Sequence, residues 1–454
     1  MANTDPCRAE AQIDEDAVTR SPMSHRKAPR SKGVAVRPRA PEGEAAVLQI
    51  DHVGAQGDGI VLEPRVYVPF GLPGETVSVM RHGDHAEIVE VQTPSPDRNT
   101  APCQHFGDCG GCSMQHWRDE PYLAWKTGLV RNLLAREGLE PEFLSPYAAK
   151  PGSRRRLALH ARKGVGGAEL GFKARRSWRL VAIKDCLVAD PRLVAALPAL
   201  RKLALPFLEH PKSAPTLHVT LTRTGLDVDV SGVEAKSGGL SMDARIAAAQ
   251  AAGEADMARV TMAGEIIYMA RQPMISFGPA TVALPAASFL QADAEAEAFM
   301  AKEAVAALAG SKGIADLFCG AGAFTFRLAQ IAPVYAADSS APAIKALSSA
   351  LASAPGLKPV VAEARDLVRR PYLAIEMKKI DSVVFDPPRA GAEVQCGEIG
   401  RSGASRVVAV SCNPVSFVRD ARILVDAGFK LKTVRPVDQF LWSPHIELVA
   451  VFER

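Results

Sequence analysis

A cysteine and an aspartate near the end of the sequence stand where a ligand pocket is expected. Cys412, in Ser411-Cys-Asn-Pro414, follows the apolar run 406–410, and Asp386 directly follows the run 381–385. If both runs are strands of a parallel sheet, their carboxyl ends meet at the edge where such sheets bind ligands. A lone cysteine is ordinarily a structural core residue, but a thiol in this position favours a nucleophile.

A glycine-rich turn upstream would hold a second reactant at the same edge. Residues 314–318 are predicted to form a buried strand, after which Gly320 and Gly322 allow a tight turn close to a ligand. The pattern is not the dinucleotide fingerprint, because Thr325 stands where a third glycine is required. Asp338 ends the next apolar run, at the spacing of a carboxylate that accepts from ribose hydroxyls. Together these features favour S-adenosylmethionine, and a plain structural turn is the alternative.

A thiolate beside a bound methyl donor can methylate uracil. Adding the thiolate to carbon 6 makes an enolate, whose carbon 5 can then attack the sulfonium methyl group. A base must remove the proton left on carbon 5 before the thiolate departs. Glu447 is the predicted base and His445 the second candidate, while a structural surface glutamate remains the alternative interpretation of Glu447.

Four further cysteines form a second group of reactive side chains. Three are closely spaced with glycines between them, and the fourth comes much later in the chain: Cys103, Cys109, Cys112 and Cys186. Four thiolates satisfy either a [4Fe-4S] cluster or a structural zinc ion, and the spacing does not decide between them. Unrelated reduced thiols are the remaining alternative. His105 and His116 are interpreted as polar neighbours and not as ligands.

Length and composition indicate a soluble protein of several domains. The chain has 454 residues and a formal net charge of +4. No uncharged apolar run approaches the roughly 20 residues that span a bilayer, and the first 40 residues lack the apolar core of a secretory signal. We therefore expect a cytoplasmic protein that does not contact a membrane. A monomer is also expected.

The order of sequence patterns predicts an α/β fold with two added β-rich parts. Strands and helices alternate in the C-terminal third, which is typical of a doubly wound, mainly parallel Rossmann-like sheet with an antiparallel last strand. Short alternating runs near the N-terminus predict a small β-barrel of about five strands. The predicted parts are a disordered basic tail (1–43), the barrel (44–95), a cysteine-rich segment with a helix (96–145), a β-rich central domain that binds RNA (146–285) and the catalytic domain (286–454).

Basic residues are concentrated in the predicted central domain. Arg154, Arg155 and Arg156 open it, and more cations surround Trp178: Lys173, Arg175, Arg176 and Arg179. Cations around an aromatic ring suit RNA phosphates and a stacked base. A solvated basic face is the alternative.

The motifs taken together resemble the bacterial RNA (uracil-5-)-methyltransferases. The resemblance extends from about residue 45 to 454 and rests on the four cysteines and on four short motifs: Phe289-Leu-Gln291, Asp316-Leu-Phe-Cys-Gly-Ala-Gly322, Asp386-Pro-Pro-Arg-Ala-Gly391 and Ser411-Cys-Asn-Pro414. It implies a TRAM domain for the barrel, a [4Fe-4S] cluster on the four cysteines, and S-adenosylmethionine as the donor.

The resemblance also implies a role for each matching residue. Cys412 is the nucleophile and Glu447 the base, while the donor contacts Gln291, Phe318, Gly320, Gly322, Asp338, Asp366 and Asp386. Two positions depart from the family pattern, since similar enzymes commonly have Glu in place of Asp338 and Asn in place of Ala323. Both departures concern donor affinity and leave the reaction class unchanged.

The expected substrate is a flipped or unpaired uridine, because the target atom is hidden within a base stack. The added barrel and cysteines resemble the enzymes that act on 23S rRNA, and a transfer-RNA enzyme is the nearest alternative. A cytosine-5 methyltransferase is disfavoured, since those enzymes usually present the nucleophile after proline whereas Cys412 follows Ser411. A non-catalytic iron-sulfur protein that binds RNA is the alternative of another class. The cluster is expected to be structural, because methyl transfer of this kind needs no electron.

Overall fold

The computed structural model describes residues 43–235 and 238–454. The chain forms two compact units, of which the first ends at Pro96 and the second comprises Asp97–Arg454. The basic tail predicted for residues 1–43 lies, apart from Gly43, outside the described residues. Within the described part of the chain, no helix is both long and apolar enough to cross a membrane.

The first unit is a six-stranded sheet around a small apolar core. Its strands are β1 (Glu44–Gln49), β2 (His52–Val53), β3 (Asp58–Val61), β4 (Val66–Pro69), β5 (Thr76–His82) and β6 (His85–Thr93), in the order β1-β5-β6-β4-β3-β2. Val77 and Val79 alternate with less buried residues along β5 and lie in this core, as the period of a half-buried strand requires. About five strands were predicted, and the additional one is the two-residue β2.

The second unit contains nine α-helices among its described residues. They are α1 (Asp119–Arg136), α2 (Pro191–Ala195), α3 (Leu197–Ala204), α4 (Met242–Glu254), α5 (Ala294–Ala307), α6 (Thr325–Leu328), α7 (Ala341–Leu351), α8 (Glu393–Arg401) and α9 (Pro414–Asp426). A single turn of 3-10 helix covers Pro206–Leu208.

The strands of this unit form three sheets. A seven-stranded sheet, ordered β11-β10-β9-β12-β13-β14-β15, contains β9 (Arg156–Gly164), β10 (Gly167–Lys173), β11 (Leu180–Ala182), β12 (Thr216–Thr222), β13 (Gly225–Ser231), β14 (Arg259–Met262) and β15 (Glu265–Met269). A hairpin contains β16 (Met274–Phe277) and β17 (Ala280–Ala283). The remaining strands are β7 (Glu142–Phe143), β8 (Tyr147–Ala148), β18 (Ile314–Leu317), β19 (Val334–Asp338), β20 (Val360–Ala364), β21 (Ser382–Phe385), β22 (Arg406–Ser411), β23 (Lys430–Asp438) and β24 (Glu447–Glu453).

These remaining strands make the predicted Rossmann-like sheet of nine strands. Its order is β20-β19-β18-β21-β22-β24-β23-β7, and β8 also pairs with β23. The first five strands of this order are mutually parallel. The last strand in the chain, β24, pairs antiparallel with both β22 and β23, which confirms the prediction for it.

Both faces of the nine-stranded sheet are covered by apolar side chains. Successive residues of β18 enter different cores, Ile314 on one side and Ala315 on the other. All four residues of this strand are buried, as expected for a parallel strand between two layers of helices. The hairpin of β16 and β17 also packs into one of these two cores, through Phe277 and Val282, although its residues were predicted to belong to the central domain.

Helix α1 buries a charged side chain. Its buried residues are Tyr122, Lys126, Val130 and Leu134. The Lys126 ammonium donates to the Asp438 carboxylate at 2.6 Å, and both side chains are fully buried. Since a buried ammonium requires a partner, this contact fixes α1 against the end of β23.

Candidate active site

The glycine turn after β18 contains three residues in the left-handed region. The φ angles are 63° at Phe318, 53° at Gly320 and 100° at Gly322. A Cβ atom at Gly322 would lie 2.6 Å from the Phe326 ring, whereas at Gly320 it would meet nothing within 4 Å. Gly322 is therefore required by both conformation and space, and the open side of Gly320 leaves room for a ligand.

Asp338 links this turn to the neighbouring strand. Its carboxylate accepts from the Gly320 amide at 2.9 Å and from the Ser340 amide at 2.7 Å. Asp366 lies just beyond the next strand, β20, and is exposed. Its carboxylate accepts from the backbone amides of Val368 and Arg369, at 3.1 and 3.2 Å. Asp338 thus belongs to the glycine turn, while Asp366 caps a turn of its own at the same edge of the sheet.

A chain of hydrogen-bonded side chains, here called the catalytic network, joins three strand ends. Gln291 donates to the Asp386 carboxylate at 2.9 Å. The amide nitrogen of Gln439 donates to Gln291 at 2.7 Å and to the Glu447 carboxylate at 2.7 Å. Gln439 directly follows β23 and was not predicted as a site residue. Its sequence pattern contains no sign of this role, because an amide after a strand is usually a turn residue.

Carboxyl groups with raised pKa values are concentrated in this region. Burial raises the pKa of Asp316 to about 7, and the Thr325 hydroxyl, which donates to it, partly offsets this effect. Burial also raises the pKa of Asp386 to about 7. The pKa of Glu447 lies well above its ordinary value because of burial first and the nearby Asp386 second. Such a group of buried acids favours a cationic ligand, since a positive charge would stabilise the ionised forms.

Cys412 lies beside the catalytic network. Strand β22 ends where β24 begins, because Ser411 is paired with Leu448, and this pairing brings Cys412 close to Glu447. The pKa of the Cys412 thiol is raised to about 12, by burial first and then by Glu447 and Asp386, while Arg389 lowers it. In the ligand-free protein this side chain is therefore a neutral thiol that needs positive charge nearby to ionise.

The loop after β21 and the loop after β22 are tied together at Arg389. The Asn413 side-chain amide donates to the Arg389 carbonyl at 2.9 Å, and the Ser416 hydroxyl donates to the same oxygen at 3.0 Å. Asn413 also caps α9 by accepting from the Val415 amide. These contacts hold the loop after Asp386 against the loop that bears Cys412. Arg389 had been noted only as part of a motif, without a role.

Four of the predicted site residues lie close together in the structure: Gln291, Asp386, Cys412 and Glu447. His445 does not share their environment. His445, the second candidate for the base, is exposed and packs edge-on against the Phe440 ring. Glu447 is therefore the better placed of the two bases.

The four predicted metal ligands lie near one another, apart from the catalytic network. Burial is the first cause of a raised pKa at Cys109, Cys112 and Cys186, and neighbouring cysteines add to it at each. The His105 amide donates to Cys103 Sγ, and the Gly111 amide to Cys109 Sγ, each at 3.4 Å. Among residues 43–235 and 238–454, no three His, Cys, Asp or Glu side chains are arranged to hold a metal ion.

The arginines at the start of β9 are used mainly inside the protein. Arg155 is buried, donates to the Glu297 carboxylate at 2.6 Å and donates to the Gln291 carbonyl at 3.0 Å. Arg156 donates to the Leu290 carbonyl at 2.7 Å. The prediction that Arg155 contacts phosphate is wrong, because its side chain is enclosed by these partners. Their contacts position the segment that contains Gln291.

Comparison with known proteins identifies the family. Residues 280–454 match the family model described as tRNA (Uracil-5-)-methyltransferase. An uncharacterized RNA methyltransferase of Caulobacter vibrioides is 62% identical over 412 residues, which cover 90% of this chain and 99% of that protein. The 23S rRNA (uracil(1939)-C(5))-methyltransferase RlmD of Chromohalobacter salexigens is 31% identical, with 95% of each chain covered.

A solved structure supports the fold independently. The Pyrococcus abyssi tRNA (uracil-54, C5)-methyltransferase, in complex with S-adenosyl-L-homocysteine, superposes with a TM-score of 0.69. The match covers 89% of this chain and 99% of that chain at 22% identity. With the sequence relatives, the matching family model and the geometry of the site in agreement, this chain belongs to the family of RNA (uracil-5-)-methyltransferases.

Proposed function

We propose that this enzyme transfers a methyl group from S-adenosylmethionine to carbon 5 of a uridine in 23S rRNA, through an adduct between Cys412 and carbon 6 of uracil. The observation that carries the proposal is a thiol and a buried carboxyl group at adjoining strand ends, Cys412 and Glu447. A nucleophile and a base for the same ring are the two groups that this reaction requires.

The donor site is proposed at the glycine turn. It comprises Gln291, Phe318, Gly320, Gly322, Asp338, Asp366 and Asp386. Asp338 would accept from the ribose hydroxyls, as carboxylates at this strand end do in related nucleotide sites. The raised pKa of Asp386 supports a cationic ligand beside it, since the sulfonium charge would offset the burial of its carboxylate.

Cys412 acts as the nucleophile in this proposal. Arg389 already lowers the pKa of the thiol, and a sulfonium nearby would lower it further. The thiol releases its proton to solvent, and its sulfur bonds to carbon 6 while the ring electrons move toward the oxygen on carbon 4. Carbon 5 then takes the methyl group, and the former sulfonium leaves as a neutral thioether.

Glu447 acts as the base that completes the cycle. Its carboxylate removes the proton from carbon 5, and the bond between carbon 6 and the Cys412 sulfur breaks. Burial gives Glu447 a raised pKa, which makes its ionised form a stronger base. Gln439 donates to this carboxylate and supports its ionised form.

The choice of 23S rRNA over transfer RNA rests on the relative from Chromohalobacter salexigens, which is named for 23S rRNA and matches along almost the whole chain. A transfer-RNA substrate is the second candidate, because the matching family model is described by that activity. We assign RNA binding to both added β-rich parts, the first of them as a TRAM domain, and we propose that the enzyme acts as a monomer.

We further propose that Cys103, Cys109, Cys112 and Cys186 hold a [4Fe-4S] cluster. Support for this proposal comes from the interactions of the thiols with one another and from backbone amides that donate to two of the sulfurs, although the four side chains of the described structure are not arranged around a metal ion. The cluster would supply a covalent tie between the loop 103–112 and Cys186 and would take no part in methyl transfer.

The test is release of tritium from 5-tritiated uridine in unmodified 23S rRNA and transfer RNA transcripts. The wild type should release tritium from 23S rRNA with S-adenosylmethionine, and Cys412→Ser should not, while both bind the donor. Cys396→Ala, which removes a fully buried thiol of α8, is the control and should remain active.

Release from transfer RNA alone would favour the second substrate. Release that persists in Cys412→Ser would contradict the covalent mechanism. No release from either RNA by a donor-binding wild type would contradict the reaction itself.

A further inference from the structure

The turn between β10 and β11, residues 174–179, presents an aromatic ring to solvent. We call these residues the tryptophan turn. Trp178 is 82% exposed, whereas the other three tryptophans of the chain are buried or partly buried. The Lys173 ammonium lies 3.7 Å from the centre of the Trp178 ring and covers one face of it. An indole held by a cation on one side and open on the other offers a stacking surface.

The charge around this ring suits a polyanion. Residues 173–179 contain four cations and no acid: Lys173, Arg175, Arg176 and Arg179. Asp108 of the cysteine loop pairs with Arg179, so the turn and its partner keep a positive excess. Arg176 has a φ of 50°, so the turn has a defined left-handed residue within it. Stacking surfaces flanked by cations are how proteins bind single-stranded nucleic acid without reading its sequence. Protein partners do not usually require such a concentration of one charge.

The cysteine loop, residues 103–112, holds the tryptophan turn at both ends. The Gly110 amide donates to the Lys173 carbonyl at 2.9 Å, and Cys109 forms a β-bridge with Ala174. At the other end of the turn, Arg179 forms an ion pair with Asp108. The fit is close, because a Cβ atom at Gly110 would lie 2.7 Å from the Lys173 carbonyl oxygen.

The tryptophan turn also lies toward the catalytic network. Strands β9 and β10 are antiparallel, so the end of β10 at Lys173 is near the start of β9 at Arg156. The Arg156 guanidinium lies 5.7 Å from the centre of the Phe289 ring, which is more than half exposed. Phe289 is two residues from Gln291 of the catalytic network. Two exposed rings with cations above them therefore occur along one edge of the molecule.

We propose that the tryptophan turn binds an unpaired nucleobase of the RNA substrate by stacking on Trp178, and that the cysteine loop sets its position. The inference rests on the proposed function only in taking RNA as the substrate. It does not depend on Cys412, on the reaction at carbon 5 or on which RNA is modified.

The first test compares Trp178→Ala with Trp178→Phe. Removing the ring should weaken binding of a single-stranded RNA oligonucleotide by about tenfold, because stacking contributes about this much per base. Phenylalanine should retain most of the affinity. In steady-state kinetics, Trp178→Ala should raise the KM for RNA and leave kcat unchanged, since the ring is not one of the groups that take part in the reaction. Val165→Ala, at an equally exposed site between β9 and β10, is the matched control.

Fluorescence distinguishes stacking from a general effect of the turn. RNA should quench the tryptophan emission of the wild type, and the quenching should disappear in Trp178→Phe although that variant still binds. Quenching that remains unchanged in Trp178→Phe would overturn the proposal, as would Trp178→Ala with wild-type RNA affinity and KM.

The second test concerns the cysteine loop. Gly110→Ala should weaken RNA binding as Trp178→Ala does, because its methyl group displaces the Lys173 carbonyl. Gly111→Ala is the control, since its added Cβ would meet only Cys109 Sγ, at an ordinary 3.5 Å. The double variant of Gly110 and Trp178 should be no weaker than either single variant, whereas additive losses would overturn the coupling. Failure of the proposed function has another signature, namely no methyl transfer by a wild type that binds RNA through Trp178.

Discussion

The two candidate thiol sites of the second unit, at Cys412 and at the cysteine loop, differ in what surrounds the sulfur. Cys412 lies beside two carboxyl groups and one guanidinium, from Glu447, Asp386 and Arg389. Cys112 lies instead beside the other cysteines of its group and the Gln115 amide. Burial raises the pKa of Cys112 and of Cys412 to about 12.

Burial raises the thiol pKa at both sites, so burial alone does not distinguish a metal-ligating cysteine from a nucleophilic one. At both sites an ionised sulfur needs positive charge, because a buried thiolate is strongly disfavoured. A group of thiols with backbone amides suits a metal cluster, which carries that charge permanently. A single thiol with an acid that can serve as a base suits a substrate that brings the charge only when it binds.

The largest expected effect is at the base of the Cys412 site. Glu447→Gln should lower kcat by about 10² to 10⁴, because proton removal from carbon 5 loses its acceptor. The variant should still form the adduct, which would accumulate as an RNA-linked protein on a denaturing gel.

Glu453→Gln, at the exposed end of the same strand, is the control and should be unchanged. A slow Glu447→Gln enzyme that accumulates no adduct would indicate that Glu447 acts before the adduct forms, and the assignment of the base would then be wrong.

A smaller effect, of another kind, is expected at the cysteine loop. If the four cysteines hold the proposed cluster, Cys112→Ala should lose its iron, and it should weaken RNA binding by about tenfold through the displaced tryptophan turn. Donor affinity should stay within about twofold of the wild type, because the two thiol sites are separate. Iron analysis, filter binding of RNA and calorimetry with S-adenosylmethionine measure the three quantities. Loss of donor binding in a folded Cys112→Ala protein would remove the distinction drawn between the sites.

A buried glutamine lies near each thiol site, Gln439 beside Glu447 and Gln115 beside the cysteine loop, and substitutions at these two positions test whether the sites have separate roles. Gln439→Leu should reduce kcat about tenfold, since a hydrogen bond to a charged group contributes about 1.5 to 3 kcal/mol. Because Gln439 lowers the pKa of Glu447, its loss should shift the acidic limb of the pH–rate profile to higher pH.

Gln115→Leu should leave that profile unchanged and affect the cysteine loop instead, since the Gln115 side chain accepts from the Cys103 amide at 3.1 Å. Equal shifts of the pH–rate profile in both variants would argue against separate roles.

A further effect, on stability and not on activity, concerns the buried acid Asp316 near the glycine turn. Asp316 has a pKa raised from 3.8 to about 7, so the folded protein retains a proton that the unfolded chain releases. This contribution to stability is complete below pH about 4 and is lost as the pH rises through about 7, with an upper limit of about 4 kcal/mol. The melting temperature of the ligand-free protein should therefore fall between about pH 4 and pH 7.

Asp316→Asn should make this fall shallower, while Asp366→Asn, at an exposed carboxylate, should leave it as in the wild type. A wild-type melting temperature that rises across the same interval would show that Asp316 is not protonated in the folded state.

Much of the catalytic fold was predictable because its signals are local. The buried strand at 314–317 and the turn at Gly320 and Gly322 depend on apolar runs and on backbone freedom, which adjacent residues determine. The antiparallel final strand was likewise predictable from the order of elements. The boundary of the central domain was harder to predict from local signals. The hairpin at 274–283 packs into the catalytic core through residues that are distant in sequence.

The arginines of the central domain illustrate where local reasoning fails. A run of three cations indicated a phosphate site, yet Arg155 is enclosed by Glu297 and the Gln291 carbonyl. Lys126 is a similar case, because its partner Asp438 lies at the other end of the unit's sequence. A charged side chain gives no local indication of whether it will meet solvent or a distant counter-charge.

The sequence by itself determined the reactive residue types, the order of the strands that carry them and the resemblance to uracil-5 methyltransferases. Only the tertiary structure decided which side chains meet. Gln439 joins Gln291 to Glu447, and the cysteine loop lies against the tryptophan turn, through pairs separated by many residues. The physical reason is that strand ends distant in sequence become neighbours in a folded sheet, and hydrogen bonding and burial depend on neighbours in space.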